Sequence, residues 1–140
     1  MGKINMQRVI LGGLVAGLVL NAFDFLMYGV VLRADMEAAM QALGKTMEGQ
    51  PMWLFVLLDF LFGIWIVWLY AMIRPRYGPG PRTAVLTGLY VWVGYGLLHA
   101  VSEAPMGILP TRLLAIFVVA FLAVAPLAAL AGAKFYQETP

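Results

Sequence analysis

Asp24, Asp59 and His99 each lie inside or at the edge of a long apolar run, where an ionisable side chain is costly and normally faces a partner or a water-filled cavity. Other polar residues accompany them at helical spacing. Gly13, Gly17, Asn21, Asp24 and Tyr28 follow one another at intervals of four, four, three and four, and Gly88, Trp92, Tyr95, His99 and Glu103 form a second stripe of the same kind. The candidate cluster is therefore Asn21, Asp24, Asp59, Tyr95, His99 and Glu103, with Arg112 at its mouth. Two carboxyls and an imidazole could pass a proton or hold a cation, although no polar residues continue such a path along the other halves of the helices. A hydrogen-bonded knot that sets helix register is the structural alternative.

Other chemistries fit less well. His99 with Asp24, Asp59 or Glu103 could be recruited to a metal, but one imidazole and scattered carboxylates match no diagnostic spacing, and no metal or other cofactor is expected. A single histidine excludes bis-His haem within one chain, though two copies could supply the pair. Ser102, near His99 and Glu103, is better placed to bond backbone at a helix end than to act as a nucleophile. No glycine-rich phosphate loop, HExxH pair or GxSxG elbow occurs, so the reading leans away from an enzyme. Cysteine is absent, which removes disulfides, thiolate metal sites and thiol catalysis.

The elements that must position these residues are membrane helices. The chain is 63% hydrophobic and 11% charged, far from the ~45–50% and ~25% usual for soluble domains. Four apolar stretches, 9–32, 52–73, 83–101 and 113–133, each approach the ~20 residues that span a bilayer. They predict an all-α membrane four-helix bundle, one four-span domain over residues 1–140. Lys3 and Arg8 before the first run would suit a secretory leader, but the run continues to Leu32, carries Asn21 and Asp24, and lacks a small-x-small cleavage site; a retained helix is expected. The nine basic residues fall in short clusters that act as topology signals, and no nucleic-acid partner is expected.

Charge also predicts the orientation. Lys3, Arg8, Arg74, Arg76 and Arg82 flank the N-terminus and the second connection, whereas residues 33–50 carry two basic and three acidic side chains. The positive-inside rule then gives an N-in, C-in topology, with Asp24, Asp59 and His99 converging in the outer half of the membrane. Met36, Met40, Leu43 and Met47 in the first outer loop predict a short interfacial helix. Pro75, Gly78, Pro79, Gly80 and Pro81 predict a stiff turn that stops the second helix before it.

Packing surfaces can be read as well. Gly13 and Gly17 form a small-xxx-small face, and Ala125 and Ala129, with Ala128, Gly132 and Ala133, form another on the fourth helix; either could serve folding or a homo-oligomer. Pro126 is expected to bend that helix. Trp53, Tyr70, Tyr77, Phe135 and Tyr136 suit interfacial belts, while Trp65, Trp68 and Trp92 are expected to pack against helices or lipid rather than form an aromatic box.

The segments GGLVAGLVLNAFDFL, WLYAMIRPRYGPGPRTA and LAGAKFY together resemble small bacterial four-helix membrane proteins of unknown function. The resemblance implies four spans in a bacterial cytoplasmic (inner) membrane and carries over no catalytic residue. The resulting expectation is a non-enzymatic membrane protein, an accessory subunit of a larger membrane complex. Its alternative is a binding or transport module for a proton, cation or small amphiphile built on the Asp/His cluster.

Overall fold

The computed structural model describes residues 3–138. Helix α1 (Met6–Leu26) continues through a π-helical turn (Met27–Val31), and α2 (Arg33–Ala42) follows at once. Helix α3 spans Met52–Tyr77. The third span begins as α4 (Pro81–Val91), widens into a π-helical segment (Trp92–Leu98), and closes with α5 (His99–Glu103) and a 3-10 turn (Ala104–Met106). Helix α6 is Thr111–Ala133. Four of these stretches, Met6–Val31, Met52–Tyr77, Pro81–Met106 and Thr111–Ala133, are long and apolar enough to cross a membrane, so the chain is an all-α, multi-pass four-helix bundle. Three of them have 26 residues, about 39 Å of helix at ~1.5 Å per residue, which exceeds a ~30 Å hydrocarbon core and leaves their ends in the headgroups or the helices tilted.

Local chemistry sets the helix ends. Asn5 caps α1, its side-chain oxygen accepting from the Arg8 amide at 3.2 Å. Contrary to the sequence expectation, α3 does not stop before the proline-rich connection but runs through Pro75 to Tyr77. Pro75 lies in the last turn, where few helical bonds remain to be lost, and the break falls instead at Gly78, whose φ of 86° ends the helix while its amide bonds the Arg74 carbonyl at 2.8 Å. The turn is thus only residues 78–80. It is pinned from both sides, Thr83 Oγ1 donating to the Gly78 carbonyl at 2.6 Å and the Gly80 amide donating to the Tyr70 hydroxyl at 3.1 Å.

The connection helix α2 is shorter than its methionine spacing suggests. Gly44, with φ 68°, follows the end of the helix, so Met47 lies beyond it. Ala39 and Leu32 bury against Leu113, with Met36 beside them, and Arg112 on α6 reaches Asp35 at 3.3 Å, so α2 folds over the start of α6.

The spans approach one another through glycine. A Cβ on Gly63 of α3 would fall on the Gly13 carbonyl and Gly17 amide of α1, and one on Gly88 of α4 would fall on the backbone of Pro126 in α6. Ala125, Ala128 and Ala129 are fully buried in the same core. Both small-residue faces are therefore used within the chain. The core, including Val9, Ile66, Val67, Ala71 and Ala84, occupies the half of the bundle nearer the termini. There Tyr70 and Tyr136 pack edge to face at 5.9 Å and Arg74 pairs with Glu138 at 2.8 Å. Tyr70 and Tyr136 are core residues rather than belt anchors, because each ring finds the other, whereas Trp53, Tyr77 and Phe135 stay exposed. The opposite half is looser, and residues 52–58 of α3 are exposed on every side.

Candidate functional site

In that looser half, α1, α3, the third span and α6 leave a cleft of about 420 Å3. Asp24 and Tyr28 approach it from the first span, Asp59 from α3 and Tyr95 from the third span. Asp24 stands one turn beyond Leu20, which lines the cleft beside the core, and Tyr28 stands one turn further on, inside the first π-helical turn. Tyr95 is carried by the second π-helical segment. Both phenols at the cleft therefore ride on widened turns, where i→i+5 bonding shifts the angular register from that of an α-helix and which occur often at functional sites.

The wall is aromatic. Tyr95 is its hub, with ring centroids 4.8 Å from Phe62, 5.7 Å from Phe121 and 6.3 Å from Phe117. Phe117 and Phe121 stack at 5.2 Å, and Phe62 meets Trp65 at 5.3 Å. Trp65 stands at the edge of this wall, against Phe62 of its own helix and 40% exposed, so the tryptophans form no box among themselves; α3 and α6 bring Phe62, Phe117 and Phe121 to the same depth as Tyr95. Trp92 packs as expected, its indole N–H donating to the Val118 carbonyl at 2.8 Å.

The other candidates lie elsewhere. Asn21 belongs to the α1–α3 interface, its Nδ2 donating to the Gly17 carbonyl at 3.0 Å and the Val56 carbonyl at 3.3 Å. His99 stacks on Tyr95 with 7° between the ring planes and 5.6 Å between centroids, outside the cleft wall. Its Nε2 is 3.4 Å from Glu103 Oε1, and the two side chains are 49% and 31% exposed. Asp24, Asp59 and His99 therefore do not all meet in one cavity. Asp24 and Asp59 share the cleft with Tyr28 and Tyr95, and His99 joins only through the Tyr95 ring. His99 keeps the Tyr95 face but stands four residues further along the span, in α5 beyond the π-helical segment, where it meets Glu103 rather than the cleft.

Tyr28 and the phenylalanines of the wall are the site residues that the sequence reading left out. A signal for Tyr28 existed, since it continues the Asp24 face; for Phe62, Phe117 and Phe121 there was none, because an apolar ring in a membrane helix faces lipid, core or cavity with the same sequence signature. Among the described residues, neither carboxylate and neither cleft phenol has a hydrogen-bond partner in the protein. Among the same residues no three His, Asp or Glu side chains come together as a metal site. Ser102 donates to the His99 carbonyl at 2.7 Å, a local helix-end bond.

The chain matches no family model, no curated protein and no solved structure.

Proposed function

We propose that this small multi-pass membrane protein is a binding module for a small amphiphile, whose polar end meets Asp24 and Asp59 and whose apolar body lies against the aromatic wall. The observation that carries this reading is the pairing of two carboxylates and two phenols, all without hydrogen-bond partners among the described residues, with a cleft of about 420 Å3, a size within the ~300–1,000 Å3 typical of ligand pockets. Polar groups in so apolar a setting are stabilised by a partner, and four facing one cleft favour a shared one. It is a binding rather than a reacting site, since no nucleophile with an adjacent base lines the cleft among the described residues. The charge distribution favours a cleft in the outer half of a bacterial cytoplasmic membrane. The test is native mass spectrometry of protein extracted gently from its membrane: an adduct of roughly 1:1 stoichiometry is expected on the wild type and lost from Leu61→Trp, which fills the cleft. Absence of an adduct from both overturns the reading.

One observation favours a second role, an accessory subunit of a larger membrane complex. Residues 52–58 of α3 are exposed on all sides, more than a helix needs merely to face lipid on one side. A subunit of this kind is expected to co-purify stoichiometrically with a larger protein, and to tolerate Asp24→Asn and His99→Ala.

A further inference from the structure

We infer that the occupant of the cleft is an organic cation, a compact amphiphile with an ammonium or protonated amine head, and that it enters sideways from the lipid between α3 and the third span. This deepens the amphiphile-binding reading and rests on it.

The charge of the head follows from the lining. Asp24 and Asp59 supply acid, and no Lys, Arg or His lines the cleft among the described residues. Of the basic side chains near that end of the bundle, Arg33 pairs with Glu37 at 3.0 Å, Arg112 with Asp35 at 3.3 Å, and His99 lies 3.4 Å from Glu103 outside the cleft lining. An anion would find only like charge. A neutral head would leave any ionised carboxylate without a counter-charge in a medium where that is costly. A cation supplies it. The wall adds to the same preference, because aromatic ring faces are electronegative and attract cations, most strongly where water is excluded. The ring cluster of Phe62, Tyr95, Phe117 and Phe121 stands beside the carboxylates rather than apart from them.

Other cations fit less well. A bare metal ion prefers more oxygen or nitrogen ligands than two carboxylates provide, and would gain nothing from the wall's apolar bulk. A proton pathway would need a continuous line of polar groups beyond the cleft, where Val9, Ala16, Ile66 and Val67 are fully buried and the buried hydroxyls of Thr83 and Thr87 are spent on the Gly78 and Thr83 carbonyls.

The route follows from exposure. Leu58 and Leu61 on α3 and Tyr95 on the third span line the cleft yet are 48%, 52% and 47% exposed, so the wall opens on the flank of the bundle. A flank at that depth meets acyl chains, and an amphiphile dissolved in the leaflet reaches the carboxylates without crossing water.

The experiment uses the full chain in phosphatidylcholine nanodiscs, titrated with decyltrimethylammonium, decanol and decyl sulfate and read by tryptophan emission, with empty nanodiscs as the blank. Trp65 in the wall is the reporter. The expected result is saturable binding of decyltrimethylammonium about tenfold or more tighter than decanol, with no saturable response to decyl sulfate. In Asp24→Asn and Asp59→Asn the preference for the cation over decanol should fall from about tenfold toward parity. Equal binding of cation and alcohol, or preference for the sulfate, overturns the charge inference and leaves the amphiphile-binding reading standing. No saturable response to any of the three overturns both. The comparison of head groups on the wild type needs no variant to fold.

Discussion

Asn21 of α1 donates its side-chain amide across the helix interface to the carbonyl of Val56 in α3, 3.3 Å away, while Asp24, three residues on, faces the cleft instead. Two polar residues on one helix face thus do different work. Asn21→Ala removes an interhelical hydrogen bond and is expected to cost about 0.6–1.7 kcal/mol in equilibrium unfolding in mixed micelles, with binding of a cationic probe unaffected. A large loss of binding with unchanged stability would move Asn21 into the site.

Asp24→Asn and Asp59→Asn should behave in the opposite sense. Neither carboxylate has a protein hydrogen-bond partner among the described residues, so the amide loses nothing, and removal of an intramembrane charge favours the folded bundle by about 1 kcal/mol. The same unfolding assay checks it. Destabilisation of 2 kcal/mol or more, estimated as for a broken buried polar network, would make these carboxylates structural.

The α1–α3 contact gives a steric prediction. A methyl at Gly63 meets the backbone of Gly13 and Gly17, so Gly63→Ala is expected to cost about 1–3 kcal/mol, as overpacking does. Gly94, in the π-helical segment, has open space where its Cβ would be. Gly94→Ala is the control, and its thermal unfolding should match the wild type or exceed it by up to about 1 kcal/mol. Equal loss in both variants would show that general helix effects, rather than close approach, govern the interface.

Orientation can be read directly because the chain has no cysteine. Lys45 lies in the loop after α2 and Gly80 in the turn between α3 and α4, at opposite ends of α3. Single cysteines at these positions should react with impermeant maleimide from opposite faces of intact cells, Lys45→Cys from outside and Gly80→Cys only after permeabilisation. Reaction of both from one face would rule out the four-span topology, and the reverse pattern would invert it.

Much of the bundle was legible from composition alone. Four apolar runs separated by charged or proline-rich connections have few stable forms in lipid, since every backbone N–H and C=O must bond within its own helix. Gly13 and Gly17 could be read as a close-packing face for the same reason, and Asp24 and Asp59 as groups needing a partner. Helix ends were less legible: α3 passes Pro75 and stops at Gly78, because a proline near a helix end loses little and a glycine with positive φ ends it outright.

What the sequence by itself determined is therefore the number of spans, the residues that must avoid lipid and the small-residue faces through which helices can touch, all consequences of transfer free energy and side-chain size. Only the tertiary structure decided that Gly63 is the partner of Gly13 and Gly17, that Asn21 joins two helices, and that Tyr28 rather than His99 joins Tyr95 beside the two carboxylates. Those outcomes depend on π-helical turns at Met27–Val31 and Trp92–Leu98 and on which side of each helix meets a neighbour. A periodic pattern of residue types carries neither, because both are settled by contacts between segments far apart in the chain.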